Sequence, residues 1–145
     1  MTKQGVTSAL ALFLLSITLF SVTAVAQTGW PRTFAGAKGQ ITLAQAPTRI
    51  VSTSVTLTGS LLAIDAPVVA SGATAPGSRL ADEQGFFRQW GRVAKQRGVK
   101  RPYIGEPTAE ASVAEAPDPI VVRTTGKDSA IKLADQLSAI APVLI

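Results

Sequence analysis

Apolar residues along this chain come in short bursts divided by polar turns, and the spacing within each burst predicts the element it forms. At the N-terminus, Lys3 precedes an uncharged apolar run over residues 9–20, which ends at the small-residue site Ala24-Val25-Ala26. This is the pattern of a cleavable secretory signal peptide, with cleavage expected after Ala26. A transmembrane anchor fits less well, because the run is short, is interrupted by Ser16, Thr18 and Ser21, and is followed by no flanking charge.

Residues 27–48 are rich in Gly, Pro and Thr around one alternating stretch, Gln40-Ile41-Thr42-Leu43, which predicts an extended arm with a β-hairpin. Ile50-Val51 then reads as a strand, Ser52-Thr53-Ser54 as a polar turn and helix cap, and residues 55–64 as a helix stopped by Asp65-Ala66-Pro67. Residues 68–72 form a β-rich run closed by Gly72, and residues 73–77 a loop. Phe86, Trp90, Val93 and Ala94 share one face of a helix predicted over residues 86–96, with Gly98 as its C-terminal stop.

Further on, Pro102-Tyr103-Ile104-Gly105 predicts a short strand, and Thr108 caps a helix over residues 109–116 that Pro117 ends. Ile120-Val121-Val122 is the clearest β signal in the chain. Asp128-Ser129 opens a helix over residues 130–140, and residues 142–145 begin another strand. Strand and helix alternate throughout residues 49–145, which predicts one α/β domain with a parallel sheet flanked by helices.

Composition narrows the chemistry. Of 145 residues none is Cys or His, so disulfides, thiolate and imidazole metal ligands, and nucleophile–His pairs are all excluded. No Gly-rich phosphate loop is present and no nucleophile–base pair can be assembled from His or Cys, so an enzyme is not expected, with Ser–Lys chemistry left formally open. Fourteen Lys plus Arg face nine Asp plus Glu, and loss of Lys3 with the signal peptide leaves a basic chain long enough for one domain.

The run Arg49-Ile50-Val51-Ser52-Thr53-Ser54-Val55-Thr56-Leu57-Thr58-Gly59-Ser60-Leu61-Leu62-Ala63-Ile64-Asp65 resembles the periplasmic ferric-enterobactin-binding proteins of siderophore ABC importers. The likeness continues through Ala70-Ser71-Gly72-Ala73-Thr74, Phe87-Arg88-Gln89-Trp90, Tyr103-Ile104-Gly105-Glu106-Pro107, Pro117-Asp118, Asp128-Ser129-Ala130 and Asp135-Gln136-Leu137-Ser138. The resemblance implies the N-terminal lobe of a two-lobed binding protein of the helical-backbone class, in which one long helix joins the lobes and ligand lies between them. Ile145 falls about where such a chain passes toward the connecting helix, so a truncated product lacking the second lobe is expected. Its alternative function is that of a non-binding remnant with no transport activity. Pro102, Pro119 and Arg123 depart from the family pattern, and prolines at or in central strands predict a lobe of marginal stability.

The ligand implied, a ferric tris-catecholate, is a trianion whose iron is already saturated by six oxygens. Its binding protein needs positive charge and flat donors rather than metal ligands, and no cofactor beyond the iron inside the siderophore. Arg79 is the first candidate, since it follows the strand ending at Ser71-Gly72 and matches a ligand-contacting arginine of the family; the alternative is a solvated loop arginine. Ser52, Thr53, Ser54 and Thr56, at a strand-to-helix turn, are secondary contacts that helix capping explains equally well. Arg88 begins an acid-free basic cluster with Arg92, Lys95, Arg97, Lys100 and Arg101, which reads as a nucleic-acid patch, an ordinary solvated face, or a steering field for an anion.

Phe86, Phe87, Trp90 and Tyr103 are candidates to stack on ligand or to fill the core. Glu110 matches the position where related binding proteins meet an arginine of the inner-membrane permease, although a first-turn acid also favours its own helix. The expected partners are thus a ferric catecholate siderophore and an ABC permease, with no nucleic acid. The mature chain is expected to be a periplasmic monomer, not embedded in the membrane.

Overall fold

The computed structural model describes residues 29–145, and the signal-peptide expectation lies outside them. β1 (Arg32–Gly36) and β2 (Gly39–Leu43) pair antiparallel, with Gly36 opposite Gly39, as the arm's alternation predicts. The main sheet contains β3 (Ile50–Ser52), β4 (Val68–Ser71), β5 (Ile120–Val121) and β6 (Val143–Leu144) in the order β4-β3-β5-β6, parallel throughout.

Helices cover both faces. α1 (Val55–Ala63) and α2 (Gly91–Gln96) lie on one, where Ile50, Val55, Leu62, Val68, Phe86, Trp90 and Ala94 form a core. α3 (Ala109–Val113) and α4 (Ala134–Ser138) lie on the other, over Val51, Ala70, Ile120, Val122, Leu137 and Val143. Ile50 and Val51 therefore serve opposite cores, as the two-residue period of a strand requires. Gly59 sits inside α1 because Trp90 packs against it: a Cβ there would stand 2.7 Å from the indole Cδ1. The outer edge of β4 is covered by the segment at Lys100, whose N–H donates to Val69 O at 2.9 Å and whose carbonyl accepts from Ser71 N at 3.0 Å.

Three predicted elements are shorter than expected. The helix over residues 86–96 starts only at Gly91, because Asp82 captures the backbone ahead of it. Its carboxylate accepts from Gln84 N and Phe86 N, both at 2.9 Å, and its own N–H donates to Phe86 O at 2.8 Å. The helix over residues 130–140 becomes a 3₁₀ turn, Ile131–Leu133, followed by α4, and i→i+3 bonds close its end at Ala139 and Ile140. α3 stops at Val113, where similar short bonds and a positive φ of 46° at Ala116 turn the chain. Pro102-Tyr103-Ile104-Gly105 makes no strand; a single bridge joins Ile104 to Ala73, and Pro102 has no N–H for a ladder.

Pro119 does not break β5. In a regular parallel ladder one residue opposite Ile50 would both donate to Arg49 O and accept from Val51 N. Here Asp118 N donates to Arg49 O at 3.0 Å, and Pro119 O accepts from Val51 N at 3.2 Å, so two residues share the work of one and no donor is missed.

Asp118 also fastens the sheet at this point. Its carboxylate accepts from Thr48 N at 2.7 Å, Thr48 Oγ1 at 2.6 Å and Arg49 N at 2.8 Å. Arg49 returns the contact, donating to Glu115 O at 2.7 Å and Ala116 O at 3.1 Å at the end of α3. Burial pushes the Asp118 carboxyl up, but the bonds from the Thr48 hydroxyl and the Arg49 and Thr48 amides outweigh it and hold the group below the usual carboxylate range.

A depressed folded-state pKa stabilises the fold above the unfolded-state value, and that stability is lost as pH falls through the folded one. The thermal midpoint is therefore expected to drop as pH falls through and below the ordinary carboxylate range, and Asp118→Asn to flatten part of that drop. At neutral pH, Asp118→Ala should cost about 1–2 kcal/mol, discounted for the group's exposure and measured by denaturant unfolding.

Candidate ligand-binding site

Parallel strands send their C-terminal ends to one edge of the sheet, and a crevice opens where neighbouring connections leave in opposite directions. β3 has β4 on one side and β5 on the other. The turns after these three strands gather around a cleft of about 300 Å³, lined by Val55, Thr56, Ala73, Thr74, Phe87, Gly105, Lys127 and Asp128.

The hydroxyls after β3 divide into two groups. Ser52, Thr53 and Ser54 are buried and engaged within the protein. Ser52 Oγ donates to Ser54 O at 3.0 Å, Thr53 Oγ1 donates to Val121 O at 3.2 Å, and Ser54 Oγ caps α1 by accepting from Thr56 N at 3.2 Å. They hold the cleft's floor from behind, and of the four Thr56 alone is exposed at its surface. Gly72 is required here because a Cβ would stand 2.7 Å from Thr53 O and 2.9 Å from the Tyr103 ring. Tyr103 Oη donates to Thr53 O at 2.8 Å, and burial first, then the charge of Asp128, push its pKa far above the ordinary phenol value. It remains a neutral donor.

Residues 123–128 supply charged groups that sequence reasoning passed over as site residues. Arg123, expected to disturb β5, turns toward α1 and donates from Nη1 to Thr56 Oγ1 at 3.1 Å and to Asp128 Oδ1 at 3.0 Å. The other oxygen of Asp128 accepts from Ser54 Oγ. The Asp128 carboxylate thus occupies the N-terminal end of α1, where an external anion would otherwise be favoured. Lys127 lines the cleft, is exposed, and has no ion pair among the described residues. The rule that ligands sit beyond strand C-termini, applied to β5 as to β4, would have found this loop.

Arg79 is exposed in the loop after β4, with no ion-pair or hydrogen-bond partner among the described residues. Arg88 braces that loop, its N–H donating to Leu80 O at 3.0 Å and its Nη2 to Ser78 O at 3.4 Å. Arg88 also borders a separate depression with Asp82, Glu83, Gln84, Gly91, Arg92 and Lys95. Neither arginine lines the cleft itself.

The basic cluster is partly tied down. Arg97 pairs with Asp65, Lys100 with Glu115 at 2.8 Å, and Arg101 donates to Gln84 O at 3.0 Å. Phe86 and Trp90 are core residues with ring centroids 5.2 Å apart, so of the aromatic candidates Phe87 is the one that reaches the cleft. Glu110 is exposed in the first turn of α3. Among the described residues no cluster of three or more metal-ligating side chains occurs, and no helix is long and apolar enough to cross a membrane.

This parallel sheet, with helices on both faces, corresponds to one lobe of the two-lobed siderophore-binding proteins. Among solved structures, holo-ViuP superposes with a TM-score of 0.70 at 46% identity, over 80% of this chain and 38% of that one. The periplasmic catecholate-siderophore binding protein VctP from Vibrio cholerae superposes with a TM-score of 0.56 at 25% identity, over 79% of this chain and 37% of that one.

By sequence the chain is similar to part of the ferric enterobactin-binding periplasmic protein FepB of Escherichia coli O6:H1 (strain CFT073). The two are 59% identical over 135 residues, 93% of this chain and 42% of FepB. The chain thus spans about two fifths of the length of these relatives. No family model matches it.

Asp128→Ala removes the partner of Ser54 and leaves Arg123 with one contact fewer. It should cost about 1–3 kcal/mol in denaturant unfolding, with Asp128→Asn costing less because an amide oxygen still accepts from Ser54.

Proposed function

We propose that this chain is the ligand-binding lobe of a periplasmic component of an ABC importer, which captures ferric enterobactin or a similar ferric catecholate and delivers it to an inner-membrane permease. The observation that carries this reading is the 59% identity to FepB over 135 residues. The cleft's chemistry supports it. Its lining includes an aromatic ring, Phe87, and a cation, Lys127, which suit a catecholate anion, and a ligand whose iron is already chelated needs no protein donor to the metal.

In this reading Arg79, in the loop after β4, contacts the ligand, and the basic cluster that begins at Arg88 draws it in by long-range attraction. Thr56 contributes a hydroxyl at the surface, while Ser52, Thr53 and Ser54 shape the turn. Glu110, exposed on α3, meets the permease. The protein acts as a monomeric carrier in the periplasm after removal of residues 1–26, with residues 27–48 as an arm ahead of the lobe. It performs no catalysis and uses no cofactor of its own.

Titration with ferric enterobactin, followed by tryptophan fluorescence, tests the reading. Saturable quenching is expected, and Arg79→Glu should weaken it at least tenfold, about 1.4 kcal/mol. A wild-type chain that shows no saturable quenching is the non-binding remnant instead.

A further inference from the structure

Resting on that reading, we infer that Lys127 is the cleft's ligand-contacting cation and that Arg123 is the positioning residue that makes it effective. The cleft wall holds one carboxylate, Asp128, which by itself would repel an anion. Arg123 neutralises it at 3.0 Å while also holding Thr56, so the charge left facing the cleft is that of Lys127.

The loop is built around this arrangement. Ser129 Oγ donates to Arg123 O at 3.0 Å, and Ala130 N donates to the same carbonyl at 3.3 Å. Gly126, at φ +90°, crosses so close over the guanidinium that a Cβ would stand 3.2 Å from Arg123 Cζ. The residue next to that crossing is Lys127, exposed at the cleft and without an ion pair among the described residues. A primary ammonium on a flexible stem suits a ligand whose negative charge is spread over several catecholate oxygens.

The test compares wild type, Lys127→Glu, Lys127→Gln and Arg123→Ala, with Lys132→Glu as a charge-matched control outside the cleft, each titrated with ferric enterobactin after circular dichroism confirms folding. Lys127→Glu should weaken binding at least tenfold and Lys127→Gln about threefold. Lys132→Glu should change it less than twofold. Arg123→Ala should weaken binding, and adding Asp128→Asn should restore much of the loss, a rescue that a merely structural role for Arg123 does not give.

Equal affinity of Lys127→Glu and wild type overturns the inference and leaves the siderophore reading standing. Equal losses in Lys127→Glu and Lys132→Glu also overturn it, since they report net charge rather than contact. Wild type without saturable binding overturns both.

Discussion

β3 is hydrogen-bonded along both edges, to β4 and to β5, and both of its faces are covered by core, so its three residues have no freedom to shift. The groups around the cleft are placed by reference to it. Thr56 follows from the turn that leaves it, Gly72 N donates to Ser52 O at 3.0 Å, and Thr53 N donates to Val121 O at 2.9 Å, which sets the start of residues 122–128. A strand so short depends on its ends being held, and Asp118 and Arg49 hold the one opposite the cleft. The burial that stabilises the lobe and the spacing of the cleft walls therefore have the same origin.

Electrostatically the cleft carries its own anion. Asp128 satisfies the Ser54 cap and takes the favourable end of α1, so that end is closed to ligand as a bare helix terminus. On the proposed function, attraction for a trianion comes from side chains, and the basic groups differ in how free they are. Arg97 and Lys100 are held in ion pairs with Asp65 and Glu115, whereas Arg79 and Lys127 have none among the described residues. Exposed pairs of the first kind contribute little to stability and are screened by salt, but they do fix which cations remain available.

Much of this architecture is legible from local sequence. Ser54 and Thr108 cap the helices assigned to them, Gly98 takes the positive φ of a helix stop, and the four short β-rich runs beginning at Ile50, Val68, Ile120 and Val143 form the parallel sheet. What local pattern could not show was competition from side chains distant in sequence or off the apolar face. Asp82 unwinds the first turn of the helix predicted from Phe86, and Asp118 lends Pro119 the donor it lacks. At the site, the hydroxyls of Ser52 to Ser54 read equally as contacts or as caps because hydroxyls at a helix start look alike whether they face solvent or carbonyls. Arg123 read as a fault because its partners, Thr56 and Asp128, lie 67 and 5 residues away.

The proposed function requires that the cleft recognise the negative charge of a pre-chelated ligand without ligating its metal. Parallel titrations with ferric enterobactin and with a neutral ferric trihydroxamate, at low and at physiological ionic strength, test this most directly. The account predicts saturable binding of the trianion that weakens with salt, and little binding of the neutral complex. Comparable, salt-independent affinity for both would contradict it.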